Sequence, residues 1–154
     1  MLKKISLLFL FLFFTSCGYE AMHSKKNRVN YNFSITEIKF TGDRDVNIKL
    51  KNNLSSYYLT KQKKKFRLSI TSNNDKLVLV KDGKGNSTSF KNTLVVNIKI
   101  IDQNNNQREL NFEETFEYNN NINKIELRRY EKEIKNNLTE TIVNNLIFEL
   151  SKIK

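Results

Sequence analysis

The chain has 154 residues, with one cysteine, one histidine, no proline and no tryptophan, and 27 basic residues against 16 acidic ones set a formal charge of +11. A single cysteine excludes an internal disulfide, and a single histidine, His23, excludes a multi-histidine metal centre. The length suits about one domain, and a strongly basic surface seeks polyanions.

The chain opens with a basic pair, Lys3 and Lys4, followed by the apolar run Leu7-Leu8-Phe9-Leu10-Phe11-Leu12-Phe13-Phe14 and then Thr15-Ser16-Cys17. A positive n-region, a short h-region and small residues before a cleavage point make a secretory signal peptide. The apolar stretch is too short to cross about 30 Å of hydrocarbon, which takes roughly 20 residues. Cysteine directly after the cleavage point is the bacterial lipobox, so residues 1–16 are expected to be removed and Cys17 to carry S-diacylglycerol and N-acyl groups. Two acyl signals already give stable attachment to a bilayer. Gly18 stands where Asp would favour retention in the inner membrane, so sorting to the outer membrane is expected.

Removing residues 1–16 leaves 138 of the 154 residues, and 25 basic residues against 16 acidic ones give the mature chain about +9. With Cys17 acylated there is no thiol left as a nucleophile or metal ligand. An exported, lipid-anchored protein meets little nucleic acid, so the expected polyanions are anionic lipid and lipopolysaccharide.

Residues 17–32 form the lipidated N-terminus and a polar tether. Residues 33–154 are expected to be a single α+β domain. Phe33 to Thr41 predicts a first strand, with a flaw in its alternation. From Asp45, apolar residues Val46, Leu50, Leu54, Tyr57 and Tyr58 recur at helical spacing, with Asp43 or Asp45 available as a cap, and predict a helix to about Leu59. The basic run Lys61 to Lys65 follows as a loop.

Phe66, Leu68 and Ile70 alternate with polar residues, and the strand is expected to bend at Ser72-Asn73-Asn74-Asp75 before Leu77 to Val80. Asp82-Gly83-Lys84-Gly85-Asn86 predicts a turn and lacks the spacing of a phosphate-cradling loop. Phe90, Leu94, Val96, Ile98 and Ile100 share one face of the next strand. After a loop at Gln103 to Asn106, so do Leu110, Phe112, Phe116 and Tyr118, with Glu113, Thr115 and Glu117 opposite. A long helix over about Lys124 to Ser151 carries a stripe of Ile134, Leu138, Ile142, Leu146 and Leu150. The order β-α-β-β-β-α predicts a two-layer sandwich, a four-stranded and mostly antiparallel sheet with both helices on one face.

The sequence offers no catalytic constellation. His23 lies on the tether with no Ser or Asp at useful spacing, and Glu113, Glu114 and Glu117 read as a solvated strand face. No enzymatic activity, metal or cofactor is therefore expected. The sharpest candidate site is the basic cluster Lys61, Lys63, Lys64, Lys65 and Arg67, able to approach the phosphates of a glycolipid. A second group, Arg128, Arg129, Lys132 and Lys135, could do the same, but its interleaved Glu126, Glu131 and Glu133 favour a salt-bridged helix surface.

Three features carry a resemblance to a known family: Cys17-Gly18-Tyr19-Glu20-Ala21-Met22-His23, the strand pair around the Asp82 to Asn86 turn leading into Leu94-Val95-Val96, and the closing helix from Glu131 through Leu150. Together these resemble the outer-membrane lipopolysaccharide-assembly lipoproteins of the LptE family. Ala21 stands where that family has proline, so the backbone after the anchor is not restricted there. The resemblance implies a non-enzymatic protein seated in the lumen of a large outer-membrane β-barrel, LptD, helping it assemble, plugging it and binding lipopolysaccharide. A periplasm-facing structural or binding lipoprotein unconnected with lipopolysaccharide transport is the alternative.

Overall fold

The computed structural model describes residues 32–153; the expected signal peptide, Cys17, His23 and nearly all of the expected tether lie outside the described residues. Strand β1 (Phe33–Gly42) is followed by helix α1 (Arg44–Leu54) and a 3-10 turn at Ser55–Tyr57. Strands β2 (Lys64–Lys81), β3 (Ser87–Asp102) and β4 (Gln107–Asn119) come next, then helix α2 (Lys124–Lys152). The sheet order is β1-β2-β3-β4. β1 and β2 run parallel, as their connection through α1 requires, and the remaining pairs are antiparallel. The α+β layout expected from the sequence is the one observed.

The flaw in β1 has a structural cause. Phe33 and Ile35 sit at odd positions but Ile38 and Phe40 at even ones, which a regular strand would send to opposite faces. A register shift between Ile35 and Glu37 inserts one extra residue against β2, so Ile35 pairs with Phe66, Ile38 with Leu68 and Phe40 with Ile70. All four apolar residues consequently pack toward the same core.

That core lies between one sheet face and the two helices. β2 contributes Phe66, Leu68 and Ile70, and β3 contributes Leu94, Val96, Ile98 and Ile100. From above, α1 brings Val46, Leu50 and Leu54, and α2 brings Ile134, Leu138, Ile142, Val143, Leu146 and Leu150. Each helix has a side-chain N-cap: Asp43 accepts from the Val46 N–H at 2.9 Å, and Asn123 accepts from the N–H groups of Ile125 and Glu126. The opposite sheet face is mostly polar, with cross-strand pairs such as Lys91 with Glu117 and Lys99 with Glu109 beside Leu77, Val95 and Ile101.

Three sequence expectations are corrected. The first helix stops at Leu54 rather than near Leu59. Tyr57 instead stacks on Phe33 with ring centroids 5.1 Å apart, Tyr58 bridges to Ile35, and Leu59 takes a left-handed φ of 52° while its N–H donates to the Ile35 carbonyl. Packing against β1 outcompetes continuation of the helix. The bend at Ser72 to Asp75 is absent, because β3 supplies a ladder in constant register from Asp102 to Phe90 that carries β2 through its polar stretch. The basic run is not all loop, since β2 already begins at Lys64.

β1 stops pairing at Gly42 opposite Ser72. Beyond that point, β2 from Asn73 to Lys81 pairs only with β3, forming a long hairpin arm. Leu77, Val78, Leu79 and Val80 on the arm are all exposed. β3 is closed at both ends by turns of the same design. In each, an aspartate (Asp82 or Asp102) accepts two backbone N–H groups on Oδ1 and the side-chain amide of the fifth residue (Asn86 or Asn106) on Oδ2. The fourth residue is left-handed in both, Gly85 at φ 84° and Asn105 at φ 60°. These bonds, the Asn side-chain amide foremost, hold both aspartates below the usual carboxylate range.

Candidate functional site

The cluster Lys61, Lys63, Lys64, Lys65 and Arg67 does not stay together in space. Lys61 and Lys63 are exposed on the segment leading into β2, and from Lys64 onward the strand alternates faces. Lys64 points to the helix-covered side, half-buried, where its Nζ donates to the Ile153 carbonyl at 2.8 Å. This bond ties the end of α2 to the start of β2. Lys65 and Arg67 face the open side of the sheet, and the Arg67 guanidinium donates to Asn105 Oδ1 at 2.8 Å in the β3–β4 turn. Lys64 is therefore withdrawn from the cluster, which leaves the ammonium groups of Lys61, Lys63 and Lys65 and an Arg67 guanidinium that keeps its charge but is held by Asn105.

A second basic region joins three of the basic residues noted on the last helix to two from distant elements. A groove of about 640 Å³ opens between α1, the covered sheet face and the first half of α2. Five cationic side chains line it: Lys49 from α1, Lys76 from β2, and Arg128, Lys132 and Lys135 from α2. Only two carboxylates, Asp45 and Glu131, accompany them. Glu131 takes the Lys76 ammonium and the Tyr118 hydroxyl, the latter at 2.9 Å, and Lys76 also sits 3.8 Å from the centre of the Phe90 ring. Burial first, then the Glu131 hydrogen bond and charge, push the Tyr118 phenol well above its ordinary range, so it remains a neutral donor. Lys135 lies 3.4 Å from Asp43 and 3.6 Å from Asp45. Burial tends to raise Asp43, but the Val46 N–H and the Lys135 ammonium outweigh it and hold the carboxyl below its usual range.

The floor of the groove breaks the apolar pattern of the covered face. Asn92 stands between Phe90 and Leu94 on β3, and Asn74 stands between Ser72 and Lys76 on β2. Asn92 is only 3% exposed, yet the Oδ1 atoms of both Asn92 and Asn74 are buried with no hydrogen-bond partner among the described residues. The absence of an apolar residue at position 92 was visible in the sequence as a gap in an otherwise regular stripe. Of the helix basic residues set down as a salt-bridged surface, Arg128, Lys132 and Lys135 line this groove and Arg129 does not.

Glu113 and Glu117 lie on the open face, as their alternation predicts, whereas Glu114 pairs with Leu94 and shares the covered side. Among the described residues, no cluster of three His, Cys, Asp or Glu side chains could hold a metal ion. No helix among them is long and apolar enough to cross a membrane.

No protein-family model and no curated protein matches this sequence. Solved structures do match its fold. A crystal structure of the rare lipoprotein B from Shewanella oneidensis covers 72% of this chain and 93% of its own at a TM-score of 0.52 and 11% identity. A minor lipoprotein from Acinetobacter baumannii covers 79% and 91% at 0.53 and 15% identity. An uncharacterized lipoprotein B from Nitrosomonas europaea covers 80% and 88% at 0.53 and 12% identity. The described domain therefore has a fold found in bacterial lipoproteins.

Proposed function

We propose that this chain is an outer-membrane lipoprotein that plugs and helps assemble a β-barrel lipopolysaccharide translocon, an LptD-like partner, and binds lipopolysaccharide during its insertion into the outer leaflet. It does so as a binding subunit and not as an enzyme. The observation that carries this reading is a lipidation signal ending at Cys17, placed ahead of a domain with the fold of bacterial lipoproteins. Two physical features support it. The interior of a large barrel is polar, and the open sheet face, with its Lys91–Glu117 and Lys99–Glu109 pairs, is compatible with such a wall. The mature charge of about +9 and the two basic regions suit a phosphorylated glycolipid.

The test is affinity purification of the tagged full-length lipoprotein from outer membranes. A large β-barrel should co-purify in stoichiometric amount, and the N-terminal peptide should begin at Cys17 with the added mass of acyl groups. Recovery of the acylated protein without a barrel would overturn the plug reading in favour of a periplasm-facing structural or binding lipoprotein. An unmodified Met1 terminus in native membranes would end the lipoprotein reading altogether.

A further inference from the structure

We infer that the groove between α1, the sheet and α2 is a binding site for a phosphorylated sugar, with the phosphate held by Lys49, Arg128 and Lys132 and the sugar hydroxyls by Asn74 and Asn92. The argument begins with the charges that remain uncompensated. Lys76 is engaged with Glu131, and Lys135 with Asp43 and Asp45. Among the described residues, Lys49 and Lys132 line the groove without an ion pair, and the Arg128 side chain donates to the Lys124 carbonyl, which neutralises no charge. Three cations from two helices thus converge on one concavity, the arrangement that a multivalent oxyanion satisfies.

Charge alone does not select a sugar. The floor does. A buried amide oxygen without a partner loses its hydration and gains nothing in return, and such groups in native proteins mark function or an unaccounted partner. Asn92 Oδ1 and Asn74 Oδ1 are hydrogen-bond acceptors, so an anion cannot satisfy them. They call for a ligand that donates as well, and hydroxyl groups do so. A leucine at position 92 would continue the apolar face between Phe90 and Leu94 and would remove an orphaned polar atom. The sequence forgoes that gain where the sheet meets the groove. Oxyanion and hydroxyls together specify a sugar phosphate, whether free or as the headgroup of a glycolipid. Only the glycolipid source rests on the function proposed above.

The experiment uses the full-length lipoprotein in detergent micelles with isotope-labelled asparagine amides. The probes are glucosamine 1-phosphate, glucosamine, inorganic phosphate, and phosphatidylcholine vesicles with and without lipid A. Glucosamine 1-phosphate should shift the Asn74 and Asn92 side-chain signals and bind about tenfold more tightly than inorganic phosphate. Lys49→Gln with Lys132→Gln should weaken both anions by about tenfold. Asn92→Leu should raise the melting temperature while abolishing the preference for the sugar phosphate over phosphate. Should that variant fail to fold, the wild-type amide shifts decide the matter. Asn92-dependent binding to vesicles only when they contain lipid A assigns the sugar to a lipid headgroup. Binding of the soluble sugar phosphate without a vesicle response assigns it to a free metabolite. Equal binding of phosphate and sugar phosphate, or unmoved Asn92 signals with every probe, overturns the site. Because the barrel pull-down is a separate measurement, either result can fail while the other stands.

Discussion

Lys61 to Arg67 place five basic residues within seven positions, while the groove collects its five from positions 49 to 135 on three different elements. In space the ranking reverses. Strand pleating sends Lys65 and Arg67 to one side of the sheet and Lys64 to the other, where it secures the end of α2. In the groove, the phase of two helices and the register of β2 turn distant residues inward. Charge density along a chain measures a binding surface only where the backbone keeps neighbours on one side, and a strand does the opposite.

Both regions depend on α2 lying on the sheet, so the largest test strikes that contact. Ile142 is fully buried, and Ile142→Ala should cost about 2–5 kcal/mol, read as a shift of the urea midpoint, and should weaken anion binding in both regions. Leu138→Ala, at a position 8% exposed, should cost toward the lower part of that range. Wild-type melting of both would mean the stripe faces solvent or a partner.

Within the basic run, the comparison assigns a structural duty to one lysine alone. Lys64→Gln removes a half-buried charged donor and should cost about 1 kcal/mol. Lys61→Gln and Lys63→Gln should each stay within about 0.5 kcal/mol of wild type. Equal effects at all three positions would contradict the division of labour read from the strand.

The proposed lipopolysaccharide binding, measured directly, sharpens the comparison further. Replacing Lys63, Lys65 and Arg67 by Gln should weaken it roughly threefold, with the larger loss at low salt where screening is least. The groove pair Lys49→Gln and Lys132→Gln should cost roughly tenfold. If the first set proves the more damaging, the linear run is the anion site after all.

The smallest effect lies at the groove's edge and is seen only in acid. The folded Asp43 carboxyl titrates below its unfolded value, so its contribution is present above about pH 4 and is lost as pH falls through the lower folded value. Asp43→Asn can keep the helix cap but carries no titrating group, so its acid unfolding should be shallower below about pH 4. An unchanged acid limb would show that the ion pair with Lys135 contributes nothing measurable.

Element identity and order were legible because each strand and helix buries one face, and burial writes its period into the sequence. Misreadings fell where a long-range contact overrode a local pattern. Tyr57 matches helical spacing after Leu54 but is taken by the Phe33 ring, and the polar run Ser72 to Asp75 is held in a strand by β3. The bulge in β1 was written in its alternation, as a switch from odd to even apolar positions. The groove was legible only in outline. Asn92 interrupts its stripe, but nothing local connects it to Lys49 or Lys132.

The unequal lengths of β1 and its neighbours divide one hairpin into two kinetic regimes. At Phe66 to Ile70, β2 is paired on both sides and roofed by helices, so its amides should exchange with solvent only when the whole domain opens. Past Gly42 the same strand has a ladder on one side and water on much of the other. The amides from Leu77 to Lys81 can open by separating the end of β2 from β3, without disturbing Leu146 or Ile142. The domain can thus reshape that end at a cost well below its global stability, while the buried frame that positions the helices stays closed.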